Sequence, residues 1–177
     1  MLKIRRVVAC THCAVYWDED AELARCRNGD HQHRMLETHL HLSPVVLPDG
    51  TQLTAASFDP AGPYSRVREP DYGLYLDRRW QPPWDHGYID WPDFGVPADS
   101  QAAAEALKDL LKRARPGQRT EIGCLGGHGR TGTALAYLAV LAGHPATDAV
   151  AWVRSSYCPK AVETPGQEAF ITALFST

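Results

Sequence analysis

Long apolar runs are missing from this sequence: none approaches the roughly 20 residues that a membrane-spanning helix requires. No leader with an apolar core precedes the first charged residues, which predicts a cytoplasmic chain. One-sided charge is missing too. Lys and Arg number 18 against 21 Asp and Glu, a formal net charge of −3, too small to drive general attachment to nucleic acid or to a membrane surface. Cysteine is sparse and odd in number, five in 177 residues. Without an export signal, that argues against a disulfide framework and for a reducing compartment. What remains is ordinary globular composition, 44% apolar and 22% charged, long enough for one domain with a true core and a small appendage.

Residues 124–131 read Cys-Leu-Gly-Gly-His-Gly-Arg-Thr. A thiolate nucleophile, a run of glycines and a guanidinium are what an enzyme needs to hold a phosphoryl group and attack it. A helical run follows at residues 131–141, so the loop opens onto a helix N-terminus, where unpaired N–H groups favour an anion. The same field favours the thiolate form of Cys124. Gly126, Gly127 and Gly129 let the backbone curl into a cup with its amides inward. Leu125 and His128 complete the loop, and Arg130 offers a planar fork for two phosphate oxygens.

Two further segments give that octet its context. Upstream stands Asp90-Trp91-Pro92-Asp93-Phe94-Gly95-Val96-Pro97, and downstream Glu163-Thr164-Pro165-Gly166-Gln167. With these three motifs in this order the chain resembles the cysteine-dependent protein-tyrosine phosphatase family, including its dual-specificity branch, over roughly its last three quarters. The resemblance implies the family fold and a two-step phosphomonoester hydrolysis through a cysteinyl-phosphate. By matched position, Cys124 is the nucleophile, Arg130 the phosphate-binding arginine and Thr131 the hydroxyl that assists the thiolate. Asp93 is the general acid and then the general base, and Gln167 orients the water. Pro92, Gly95 and Pro97 make the Asp93 segment a loop with few hinge points.

The chain departs from the family pattern at two positions. Gly123 stands where a histidine usually precedes the nucleophile. Glu163 stands where tyrosine-specific members often carry a first glutamine; a carboxylate there orients water, or repels a dianion if it faces the site. His128 lies at a variable loop position and reads as a solvated loop-tip histidine.

The fold class expected is α/β: a central, mostly parallel sheet flanked by helices. Residues 45–58 read as a hairpin, residues 71–76 and 86–90 as short strands, and residues 119–124 as the strand delivering Cys124. Residues 100–114 form an amphipathic helix with Ala103, Leu107, Leu110, Leu111 and Ala114 on one face. Further helices are expected at residues 147–157 and 165–175, with Cys158 as a packing residue. A strand–loop–helix of this kind is where open α/β sheets bind ligands.

Residues 1–41 read as a separate Cys/His-rich appendage to a catalytic domain at residues 42–177. The segment holds Cys10, Cys13 and Cys26, and His12, His31, His33, His39 and His41. The spacing from Cys10 to His31 resembles a small ββα zinc finger, with residues 19–28 as its helix and Cys26 in place of the first histidine. Cys10, Cys13, Cys26 and His31 suit a closed tetrahedral structural zinc, with His33 competing for the fourth place. A redox-active or merely buried Cys-x-x-Cys and solvated histidines are the alternative. The candidate helix starts acidic, which disfavours nucleic acid.

The sequence therefore predicts a phosphatase that needs no metal for catalysis and acts on a phosphorylated protein or peptide, of tyrosine or dual specificity. The alternatives are a non-protein substrate (phosphoinositide, sugar phosphate or RNA 5′ end) and a weakly active phosphate-binding scaffold. Tyr64, Tyr72 and Tyr75 are candidate walls for an aryl pocket. Oligomeric state has no signature.

Overall fold

The computed structural model describes residues 4–10, 15–18, 33–59, 61–173 and 175. The chain divides into two compact units, Met1–Leu40 and His41–Thr177. In the first, β1 (Ile4–Cys10) pairs antiparallel with both β2 (Val15–Asp18) and β3 (His33–His39). The ladder from β1 to β3 runs from Ile4 opposite His39 to Cys10 opposite His33. This third strand is absent from the expected ββα pattern. Among the expected zinc ligands Cys10 ends β1, whereas Cys13, Cys26, His31 and the expected helix at residues 19–28 lie outside the described residues.

The second unit carries the α/β fold. Its strands are β4 (Leu42–Val46), β5 (Gln52–Ser57), β6 (Tyr72–Tyr75), β7 (His86–Tyr88) and β8 (Thr120–Cys124). They lie in the order β4-β5-β8-β6-β7, parallel except for the β4–β5 hairpin. The helices are α1 (Ser100–Ala114), α2 (Gly129–Leu141), α3 (Ala149–Ser156) and α4 (Pro165–Ala173). Asp99 caps α1 by accepting the Gln101 and Ala102 amides, and its five expected face residues are all buried. The strong side-chain alternation along that helix is enough to fix which face meets the sheet.

The central strand β8 is buried along its whole length, and successive side chains leave it on opposite faces. Ile122 and Cys124 join the larger core, which includes Leu107, Leu135 and Leu138. On the other face Tyr75 stacks on Trp80 with centroids 4.4 Å apart, beside Ala56 and Trp84. Glu121 is buried there with compensation: Arg66 grips both carboxylate oxygens at 2.7 and 2.9 Å, and Tyr75 donates its hydroxyl to the same group. A buried carboxylate persists only when paired and hydrogen-bonded in this way.

Candidate active site

Parallel strands β5, β6 and β8 end together at one edge of the sheet, and three polar side chains follow from that geometry. Ser57 ends β5, Asp77 lies two residues past β6 and Cys124 ends β8. From Cys124 the chain turns through the glycine loop into α2. Cys124 is only 2% exposed, and Gly127 N–H points at its Sγ across 3.2 Å. Gly127 has φ +74°, and a Cβ there would stand 2.9 Å from His41 Cδ2, so this position requires glycine.

The loop carbonyls are held from outside. Ser57 donates its hydroxyl to Gly126 O at 3.0 Å, and Tyr157 donates to Gly127 O at 2.6 Å. Burial, with Cys124 and Cys158 nearby, holds the Tyr157 phenol well above its ordinary titration range, so it remains a donor. His41 N–H in turn donates to Ser57 Oγ at 2.9 Å. With these carbonyls turned away, loop amides are left for the cup, and His128, which precedes α2, makes no side-chain cap of its own. That is an anion-binding arrangement.

Arg130 is buried, its side chain 4% exposed. Its Nη1 donates to the carbonyls of Leu76 and Trp91 at 2.8 and 3.1 Å. Its Nη2 lies 3.1 Å from Asp77 Oδ2 and 3.2 Å from Asp93 Oδ1. Burial works against its charge, but Cys124, Asp93 and Asp77 together raise its pKa. Arg130 Nε and Thr131 Oγ1 are buried without a hydrogen-bond partner among the described residues. Unmet donors in such a place are costly unless an acceptor visits them.

Asp93 rides on a loop closed by Ala98 N–H to Asp90 O at 3.1 Å and Trp91 Nε1 to Gly95 O at 2.8 Å. Burial raises the Asp93 pKa; Arg130 opposes the shift and Asp77 adds to it. Phe94, the next residue, has φ +59°, a strained backbone for an aromatic residue. Thr164 Oγ1 donates to Phe94 O at 3.2 Å and Gln167 Nε2 to Gly95 O at 3.3 Å. Gln167 is fully buried, and its Oε1 accepts Glu163 N–H at 2.8 Å.

The expected catalytic set is thus brought to one edge of the sheet, with corrections around it. His128 is 5% exposed and not solvated: it packs edge-on against His41, with Nε2 atoms 3.3 Å apart. Tyr75 is in the core and Tyr72 pairs with Thr120 at the opposite end of β8, so neither walls the site. Tyr64 packs on Trp80 and Trp84. Glu163 turns its carboxyl onto Gly129, whose amide it accepts; burial, then Asp93, raise its pKa. Gly123 has no space for a histidine, because a Cβ there would meet Ala56 O at 2.8 Å and Trp80 Cζ2 at 3.1 Å.

Nothing in the sequence marks Asp77, Ser57 or Tyr157 for the site, and His41 reads there only as one of the histidines of the N-terminal segment. Asp77 accepts from Arg79 at 2.8 and 2.9 Å as well as from Arg130, and these contacts lower its pKa against the effect of burial. For Ser57 and Asp77 the available signal was position: polar residues at the ends of apolar strands of a parallel sheet.

The sequence model of the protein-tyrosine phosphatase family matches residues 78–171. An uncharacterized protein of Methanocaldococcus jannaschii is 38% identical over 85 residues, 48% of this chain and 55% of that protein. The chain spans about half the length of the curated relatives it matches. Among solved structures, the active form of Tk-PTP superposes with a TM-score of 0.59 at 26% identity, covering 73% of this chain and 95% of that one. Kinase associated phosphatase gives a TM-score of 0.63 at 16% identity, covering 76% and 93%, a likeness of fold. The family match takes in more than half of the chain, from Asp93 through the Cys124–Arg130 loop to Gln167, and the chain belongs to the protein-tyrosine phosphatase family.

Proposed function

We propose that this chain hydrolyses phosphomonoesters through a cysteinyl-phosphate. The observation that carries the reading is Arg130, a buried guanidinium within electrostatic reach of Cys124, ion-paired to Asp93, and with Nε unpartnered. In the first step Cys124 Sγ forms a bond to phosphorus as the ester P–O bond breaks, and Asp93 gives its proton to the leaving oxygen. Loop amides and Arg130 stabilise the equatorial oxygens. In the second step water attacks phosphorus, its proton passes to Asp93, and the S–P bond breaks to release orthophosphate and the thiolate. Thr131 Oγ1, buried without a hydrogen-bond partner among the described residues, donates to sulfur as that bond breaks. Gln167 uses one Nε2 hydrogen on Gly95 and has the other for water.

The substrate class we infer is a phosphorylated protein or peptide, of tyrosine or dual specificity. Phe94 and Val96, 38% and 37% exposed beside Asp93, offer apolar surface to an aryl or peptide leaving group. The test is Cys124→Ser. Turnover is expected to vanish while phosphate still binds, and substantial turnover in a clean Cys124→Ser preparation rejects the assignment. Rates on phosphotyrosine peptides, phosphoserine peptides and phosphoinositides then decide the substrate class.

A further inference from the structure

A second set of reactive side chains stands behind the phosphate loop. One ring nitrogen each of His41 and His128 and the Sγ of Cys158 lie within 4.8 Å of one another. The two Nε2 atoms are 3.3 Å apart. Two Zn–N bonds of about 2.0–2.1 Å at a tetrahedral angle place their nitrogens about 3.4 Å apart. All three residues are buried, and they arrive from distant parts of the chain. His41 precedes β4, His128 precedes α2 and Cys158 follows α3.

We propose that His41, His128 and Cys158 form a binding site for a borderline-soft divalent cation, zinc in the first instance, separate from the catalytic cup. Two imidazoles and a thiolate are the donor set that zinc selects over oxygen-seeking cations. In the turn after α3, Lys160 N–H donates to Cys158 Sγ at 3.4 Å, which holds the sulfur in place. On binding, the cation replaces the Cys158 thiol proton, which leaves to solvent as the Zn–S bond forms. A further donor or water completes the tetrahedron. The bound ion ties the loop residue His128 to the start of β4 and the end of α3. It reinforces the outward support already given by Ser57 and Tyr157.

The full chain carrying Cys10→Ser and Cys13→Ser, which removes the separate Cys-x-x-Cys pair, is titrated with Zn2+ against a chromophoric chelator. Binding of about one equivalent is expected, weakened about tenfold or more by His41→Gln and by Cys158→Ser. Co2+ is expected to give a thiolate-to-metal absorption band that Cys158→Ser abolishes and Cys124→Ser leaves intact. A zinc-dependent rise in melting temperature of the parent chain gives a readout independent of these variants. The proposal is overturned if that rise is absent, if zinc binding survives both His41→Gln and Cys158→Ser, or if the band disappears with Cys124→Ser.

Discussion

Trp80 occupies the space that a side chain on Gly123 would need. The indole Cζ2 lies 3.1 Å and the Ala56 carbonyl 2.8 Å from where that Cβ would stand. The residue ahead of the nucleophile is therefore fixed by packing on the far face of β8, and cannot be a histidine in this chain. Gly123→Ala forces a backbone carbonyl and a buried ring to shift, at about 1–3 kcal/mol. Urea denaturation measures that loss; an unchanged unfolding midpoint and slope would show that the strand has slack.

Asp93 makes a prediction whose sign follows from burial. Its carboxyl is raised from the ordinary aspartate range, so the acid form persists to higher pH than in an exposed aspartate, near about 3.9. With a poor leaving group, the rate should fall as pH climbs through this raised value. Asp93→Asn should abolish that limb and lose more rate on an alkyl than on an activated aryl phosphate. Equal losses on both substrates would mean that Asp93 is not the acid. The native chain also holds this proton more tightly than the unfolded one. Its stabilising contribution is complete below the unfolded pKa and declines as pH rises through the folded value. Asp93→Asn should therefore gain in melting temperature against the parent over that rise.

The buried pair under β8 should be intolerant of half-removal. Arg66 and Glu121 have side chains 8% and 2% exposed. Arg66→Met strands the carboxylate and should cost about 3–5 kcal/mol. Adding Glu121→Gln removes the charge, keeps an acceptor for the Tyr75 hydroxyl, and should restore much of the loss. A double variant no better than Arg66→Met in urea unfolding would refute this account.

Tyr157→Phe removes the hydroxyl that holds Gly127 O without touching the catalytic groups. A single neutral hydrogen bond is worth about 0.5–1.5 kcal/mol, so kcat/KM should fall by about two- to tenfold. Steady-state kinetics with a phosphotyrosine peptide test it, and an unchanged kcat/KM would show that Ser57 alone suffices to hold the loop.

The catalytic motifs were legible because their chemistry is local. Cys124, the glycines and Arg130 work as one short loop, and the repeat of apolar residues in α1 sets its buried face unaided. The supporting residues were not legible for the opposite reason. Asp77, Ser57 and Tyr157 reach the loop across 53, 69 and 30 residues of sequence respectively, and nothing local marks an aspartate, serine or tyrosine for that purpose. His128 looked solvated because a glycine-rich neighbourhood resembles a surface turn; the packing of His41 against it, with Tyr157 against His41 in turn, is a property of the assembled fold. Tyr72 and Tyr75 looked like pocket walls because aromatic residues near a catalytic motif have no sequence marker for which end of a strand they occupy.

Phe94 and Val162 share a backbone habit: both non-glycine residues take left-handed φ, +59° and +61°, and each immediately precedes or follows a carboxylate, Asp93 or Glu163. A side chain at such a position narrows the conformations its neighbour can sample, whereas glycine would open them. These two residues therefore act as governors on how far each acid can swing. Changing the pace of this enzyme without changing its chemistry would start with them, one residue away from the groups that carry protons.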